Sequence, residues 1–533
     1  MAHFASVVVL LCCLVTQSSA IIETNYHSTM STLSDLISME KLVKTDLLRY
    51  VERLKVVQDS ILNFVHDKQP YDDLTSPSAV FEYLKHPVHA FHLIKRMTSG
   101  LGVIEALINK TRKFDPLVNV MEMRKQRLLP WDEDFTGLAG SLVRLQDTYA
   151  LDLHELTKGH IRTEISRNRS VPGRLPLNAR DCFNISQVAL RHGFYDRAVE
   201  WVEQAMAKAT EEEPPTIPKQ ELDTFYKEAI EEHDKVLRTV GEVGDQWQTY
   251  GVPVRERANR STEFKAQLFD EEIEDEQVTE NYKRLCRGEQ LRTPKMDSQL
   301  RCRYYTGETG FFKLQPIKLE EYNLKPYVVV LRDLLQDRDL NDMIAFAKPR
   351  LEQSKTLCAA DKDGPPPRTS SNTWLDDDDA PVAARVNQYL QSLLGLGTLY
   401  GKDEAEKYQL ANYGIGGHYV PHHDYLEESL TSSKKHRLFG DRVATLMIYM
   451  SDVEEGGATV FPSLGVRVSP RKGDAVFWWN IKSSWEGDVL TWHAGCPVLY
   501  GSKWIANKWF GSYSNVFRMP CSTNQNASLG PLV

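Results

Sequence analysis

The chain has no surplus of positive charge: 64 Lys and Arg stand against 73 Asp and Glu, a formal charge of −9 over 533 residues. That leaves no basic footprint and argues against a nucleic-acid partner. Long hydrophobic runs are also missing. The one leading candidate, Ser6 to Val15, is too short to span a bilayer and is followed by the small residues Ser18-Ser-Ala20. It reads as a signal peptide over 1–20, although its n-region has no Lys or Arg, and no later stretch suggests a membrane span. Cysteine is sparse at eight, and no Cys-x-x-Cys pair is present, which weighs against a metal-thiolate site. Removing Cys12 and Cys13 with the leader leaves Cys182, Cys286, Cys302, Cys358, Cys496 and Cys521, which an oxidising lumen would pair. Five Asn-x-Ser/Thr sequons, at Asn109, Asn168, Asn184, Asn259 and Asn526, are compatible with that compartment. At 41% hydrophobic and 26% charged, a chain of this length is globular and needs several cores.

What is present is concentrated in the C-terminal third. Tyr413-Gly-Ile-Gly-Gly-His-Tyr-Val-Pro-His422-His423-Asp424 sets two histidines and a carboxylate after a glycine-rich turn. In an extended strand side chains alternate, so His422 and Asp424 share a face and His423 points the other way. Sixty-nine residues past Asp424 stands His493, and ten further on Lys503. Two imidazoles and a carboxylate on one side of a metal leave positions open, which suits a non-haem Fe(II) enzyme that binds a chelating co-substrate and dioxygen. Lys503 offers a fixed cation for the far carboxylate of a dicarboxylate such as 2-oxoglutarate. Arg442 to Met450, Glu455 to Pro462 and Gly473 to Trp479 read as strands and their turns, so the site is expected in an all-β barrel or sandwich.

Tyr408-Gln-Leu-Ala-Asn412-Tyr-Gly, Pro421-His-His-Asp424, Tyr449 to Pro462, His493-Ala-Gly-Cys-Pro-Val-Leu499 and Lys503-Trp-Ile-Ala-Asn-Lys-Trp509 follow one another in order. Together they resemble the catalytic domain of the collagen prolyl 4-hydroxylase alpha subunit. The resemblance implies an α+β double-stranded β-helix (jelly-roll) dioxygenase over 282–533. It implies His422, Asp424 and His493 as iron ligands, Lys503 on 2-oxoglutarate, Tyr408 and Asn412 along the co-substrate pocket, and ascorbate as the reductant that rescues over-oxidised iron. His423, where relatives carry an aromatic residue, is expected to flank the site. Disulfides Cys286–Cys302 and Cys496–Cys521 are implied, with Cys182 and Cys358 left over. The implied reaction is 4-hydroxylation of peptidyl proline in X-Pro-Gly sequences, with 2-oxoglutarate oxidatively decarboxylated to succinate. Two other readings keep the fold: a non-catalytic collagen-binding or assembly subunit, and the same chemistry on another proline-rich secreted protein. The presence of all four site residues favours catalysis.

Toward the N-terminus a heptad stripe runs through Leu33, Leu36, Glu40, Val43, Leu47, Tyr50, Leu54, Val57, Ile61 and Phe64, apolar at nine of ten positions. Periodicity fits a coiled-coil seam and an amphipathic helix within its own domain equally well. The resemblance favours self-association through a helical domain over 21–155. His86, His89 and His92 share a helical spacing but lack acidic partners, and capping or solvated roles are expected. Residues 156–255 read as tetratricopeptide-like helical hairpins, clearest from Asp181 to Leu190 and Tyr195 to Met206. By resemblance this region binds a proline-rich peptide such as procollagen, with Tyr195 matching a family tyrosine; the second hairpin, from Leu222, departs from the expected tyrosine spacing. An acidic linker is expected over 256–281, and Asp361 to Trp374 as a lid or surface loop. The resemblance also implies protein disulfide isomerase as beta subunit of a two-plus-two tetramer in the endoplasmic reticulum lumen. The chain ends Gly530-Pro-Leu-Val533 without a Lys-Asp-Glu-Leu signal; a partner that carries retention would account for that, and a secreted chain is the rival reading.

Overall fold

The computed structural model describes residues 30–77, 79–80, 96–112, 118–126, 132–162, 170–172, 175–240, 249–259, 275–306, 309–354, 368–426, 439–519, 522–524 and 527–530. The leader, His86, His89 and His92, residues 361–367 of the expected lid, Cys358 and Cys521 lie outside them. The chain divides into two compact units, Ser31–Trp131 and Asp132–Val533. Among the described residues no helix is long and apolar enough to cross a membrane.

The first unit is helical. Helix α1 (Met30–His66) contains neither glycine nor proline across its 37 residues, so nothing interrupts the backbone ladder, and it runs roughly 55 Å. Of the heptad stripe, Leu36, Val43, Tyr50, Val57, Ile61 and Phe64 are half-buried, whereas Leu47 and Leu54 are exposed. The buried side meets its own unit: Asn119 on α3 (Val118–Lys125) donates to Asp46, and the Arg96 guanidinium lies 4.3 Å over the Phe64 ring just before α2 (Leu101–Arg112).

The second unit opens with α4 (Asp132–Tyr149), well ahead of the domain boundary expected at 156, followed by the short α5 (Leu153–Thr157) and the two-stranded ribbon β1 (His160–Arg162) and β2 (Ser170–Pro172). Helix α6 (Ala179–Arg191) starts where Asn178 and Asp181 cap each other's backbone N–H groups, satisfying donors that a helix start leaves open. It packs antiparallel on α7 (Tyr195–Glu211), and α8 (Lys219–Val240) follows as one continuous helix through the region where the repeat pattern fades. Trp201 is fully buried among these helices, its indole N–H donating to Gln146 of α4 at 2.8 Å. Helix α9 (Asp275–Cys286) begins inside the stretch expected as an acidic linker and leads into the β-rich part.

Among the described residues seventeen strands are numbered in chain order, counting β1 and β2. Nine form one antiparallel sheet in the order β3 (Cys302–Tyr305), β4 (Ile317–Leu324), β5 (Tyr327–Arg332), β14 (Ala475–Trp479), β10 (Arg442–Tyr449), β17 (Lys503–Gly511), β8 (Tyr408–Tyr413), β7 (Ser371–Leu375), β6 (Glu352–Gln353). Four form a second: β13 (Val466–Val468), β12 (Thr459–Phe461), β15 (His493–Gly495), β9 (Tyr419–His422). The short β11 (Glu455–Gly456) and β16 (Val498–Tyr500) pair separately. Alternation divides the large sheet into two faces. Val328, Val330, Tyr413, Met447, Tyr449 and Ile505 face Phe461, Val466 and Val468 of the small sheet, while Val329, Leu331, Leu446, Ile448 and Ala506 face α10 (Asp337–Ala347) and α11 (Pro381–Leu394). The helix expected from Leu340 to Ala347 therefore packs outside the sheets as anticipated. Buried on both faces, β5 and β14 read as continuous apolar runs.

The disulfide differs from the expected pairing. Cys286 is bonded to Cys496, Cα atoms 5.6 Å apart, and Cys302 is free and exposed. Cys302 opens β3 at the outer edge of the large sheet, whereas Cys286 ends α9 buried among Ala458, Val460, Ala494 and Cys496, so only the latter thiol is presented to Cys496. Cys182 is buried and free. Alkylating the folded protein without reduction and mapping its peptides should give a linked Cys286–Cys496 pair and a modified Cys302; a linked Cys286–Cys302 pair would contradict this connectivity.

Candidate metal and co-substrate site

The metal site is a product of strand register. Strands β9 and β15 pair antiparallel with His422 opposite His493, which brings the ring centroids to 4.4 Å. Asp424 lies two residues past His422 and faces the same way. One atom from each of His422, Asp424 and His493 lies within 4.8 Å of the others. His422 Nδ1 bonds Val420 O at 2.8 Å and His493 Nδ1 bonds Thr491 O at 3.0 Å, so each Nδ1 is the protonated nitrogen and each Nε2 lone pair is free. Those Nε2 atoms stand 3.9 Å and 3.7 Å from the two oxygens of Asp424. Burial, reinforced by His493, holds the His422 imidazole down at about 3. Burial pushes the Asp424 carboxyl up, but His493, His422 and Arg442 outweigh it and bring it to about 2. At neutral pH Asp424 is an anion and His422 a neutral ligand, and this donor set fits a divalent cation.

Surrounding groups fix that set. Thr445 on β10 donates to Asp424 Oδ2 at 2.7 Å and itself accepts from Asn480 Nδ2 at 2.9 Å. The Tyr419 ring stacks on His422 with centroids 3.6 Å apart, and Trp478 packs edge-on against His493 at 4.7 Å. His423 points away, as alternation requires, and stacks on Trp492 at 5.1 Å beside Tyr425, in an aromatic slot.

Lys503 begins β17 on the inner face and is 3% exposed. Its ammonium lies 5.6 Å from the centroids of both Tyr413 and Tyr449 and 3.5 Å from Thr459 Oγ1, which accepts from Tyr449 Oη at 2.9 Å. Among the described residues no carboxylate pairs with it, and burial alone pulls its amine down to about 7. A buried cation without a protein counter-ion is a receptor for an anion.

Tyr408 and Asn412, expected along this pocket, lie on the wrong face. Tyr408, Leu410 and Asn412 share the outer side of β8; the Tyr408 hydroxyl donates to Asn387 of α11, and Asn412 Nδ2 donates to Ser502 Oγ. Tyr413, opposite Lys503 across the β8–β17 ladder, takes the inner position. Tyr413, Tyr449, Thr459 and Thr445 were not singled out from the sequence, yet counting by twos from Lys503 and its strand partner selects Tyr413. Arg368, the described end of the expected lid, is buried with its guanidinium 5.0 Å from the Tyr419 centroid. Tyr195 is the half-buried first residue of α7.

A family model for the prolyl 4-hydroxylase alpha-subunit N-terminal region matches residues 29–163, and one for the 2OG-Fe(II) oxygenase superfamily matches 408–511, the segment bearing all four site residues. Prolyl 4-hydroxylase subunit alpha-2 of Gallus gallus is 34% identical over 555 residues, covering 96% of this chain and 99% of that protein. The chain belongs to the prolyl 4-hydroxylase alpha-subunit family. Subunit alpha-1 of Homo sapiens is 33% identical, with 94% of this chain and 96% of that protein aligned. Among solved structures, the viral collagen prolyl hydroxylase of Paramecium bursaria Chlorella virus-1 in complex with 2OG aligns at 27% identity over 34% of this chain and 94% of that one, with a TM-score of 0.28. Membership makes this an Fe(II) and 2-oxoglutarate oxygenase by descent, and the His422, Asp424 and His493 set is the metal-binding group its own geometry offers.

Two outcomes follow from the geometry. Thr445→Val, which removes the donor to Asp424, should weaken Fe(II) or Mn(II) binding about tenfold by calorimetric titration. Lys503 titrates near 7 when free, and a bound carboxylate raises that value, so above pH 7 the complex holds a proton that the free protein lacks. Binding of 2-oxoglutarate at pH 8 should therefore take up a proton, read by calorimetry in buffers of different ionisation enthalpy, and affinity should fall as pH rises above 7. Lys503→Met should abolish both effects.

Proposed function

We propose that this chain 4-hydroxylates peptidyl proline in collagen-like X-Pro-Gly sequences while 2-oxoglutarate is oxidatively decarboxylated to succinate. The observation that carries the reading is the His422, Asp424 and His493 triad, half-buried at His422 and buried at the other two, sharing one interior with a buried Lys503 that among the described residues pairs with no carboxylate. Fe(II), held by the three ligands, supplies the dioxygen chemistry when bound. The protein's own work is positional. The Val420 and Thr491 carbonyls aim the two Nε2 atoms, Thr445 fixes the carboxylate, and Lys503 with Thr459 anchors the far carboxylate of 2-oxoglutarate. Tyr413, Tyr449, Phe461 and Trp478 wall the pocket and exclude water, which protects a reactive site from side reactions.

The two packed sheets support reading residues 282–533 as a double-stranded β-helix. We read 156–255 as tetratricopeptide-like and peptide-binding, with Tyr195 at its rim, and 21–155 as a region that pairs two copies through the apolar positions of α1, of which Leu47, Leu48 and Leu54 are exposed. As in the family, the working enzyme on this reading joins protein disulfide isomerase in the endoplasmic reticulum lumen and uses ascorbate.

The deciding experiment co-expresses the chain with protein disulfide isomerase and supplies Fe(II), 2-oxoglutarate, ascorbate and a (Pro-Pro-Gly) repeat peptide. Mass spectrometry should show one added oxygen per modified proline, lost in His493→Ala. Turnover of 2-oxoglutarate without peptide oxidation would overturn the substrate, and no turnover with iron bound would favour a non-catalytic assembly subunit.

A further inference from the structure

Helix α4 precedes the β-rich part by more than a hundred residues, yet it touches the two loops that end on the metal strands. Tyr149 Oη donates to Pro497 O at 2.5 Å, and Arg144 Nη1 donates to Gly416 O at 3.1 Å; both bonds are buried. Pro497 lies four residues after His493 and Gly416 six before His422. The two loops are joined beneath the helix, Gly416 N to Val498 O at 2.8 Å and Val498 N to Gly417 O at 3.0 Å. The approach is too close for side chains: at Gly416 (φ +66°) a Cβ would stand 2.6 Å from Ser141 Cβ, and at Gly456 (φ +82°) 2.7 Å from the Tyr149 hydroxyl. Both glycines adopt a conformation that L side chains rarely take.

The other side of α4 is held by the helical hairpin. Trp201 donates to Gln146, Gln146 donates to Glu200, and Asp147 pairs with Arg197 of α7 and Lys283 of α9. Helix α4 is thus held by α7 and α9, and in turn holds the loops next to both metal-bearing strands. We propose that Tyr149 and Arg144 are positioning residues of the metal centre, so that the helical region acts on the spacing of His422 and His493. Neither residue touches a ligand; each acts through the short run of backbone between its bond and the histidine, four residues from Pro497 back to His493 and six from Gly416 on to His422.

The inference rests on the metal-site reading above, and its test separates the two. The full chain, co-expressed with its partner, is titrated with Co(II) in the absence of 2-oxoglutarate and peptide, with affinity read by calorimetry and ligand geometry by the visible absorption band. Tyr149→Phe/Arg144→Met should lose Co(II) affinity and show an altered band, while helical circular dichroism is retained. Tyr149→Phe alone, which removes one hydroxyl, should give a smaller loss in the same direction and serves if the double variant fails to fold. Unchanged affinity and band with only a lowered Tm would overturn the positioning role, leaving α4 as a scaffold. Failure of the parent protein itself to bind Co(II) would overturn the metal site and this inference together.

Discussion

The pairing of β15 with β9 is the constraint on which the site depends. With His493 opposite His422, two imidazoles face one carboxylate; a slip of one residue would turn one histidine to the other face and dissolve the triad. The small sheet cannot hold this register alone, since β9 and β15 are only four and three residues long. It is fixed from outside by the Thr445 bond from the large sheet, by the packing of Trp478 on His493, and by the loops clamped under α4.

Where function was legible in the sequence, local alternation carried it. His422, Asp424 and the outward His423 follow from a period of two, and the strand segments around them follow from apolar runs between turn residues. Lys503 and His493 were legible because fixed spacing and a charged or ligating side chain in apolar surroundings mark them out. Tyr408 and Asn412 misled because motif membership says that a strand belongs to the site but not which of its faces does. The inner residue, Tyr413, is visible only once its cross-strand partner Lys503 is known, and partners are long-range facts. The cysteine pairing failed for the same reason: the resemblance of the flanking residues implied Cys302 for Cys286, while three-dimensional packing brings Cys286 to Cys496 across 210 residues.

Helix α4 illustrates a third kind of information. Its sequence marks a helix plainly, but nothing in Tyr149 or Arg144 announces a target among residues 416–498. The cost of the docking is recorded on the other side, in glycines at positive φ whose missing side chains leave room for Ser141 and Tyr149. Only the two records together reveal the contact.

The bond between Cys286 and Cys496 closes a covalent ring that holds all three metal ligands, whereas α4, the helical hairpin and Lys503 stay outside it. Closing a loop of that length removes conformational freedom from the unfolded chain worth about 5 kcal/mol in the chain-entropy picture. It also makes the ring tolerant of cutting: a protease that nicks the backbone anywhere between the two cysteines leaves both fragments tethered, and the molecule travels as a single species until a reductant opens it.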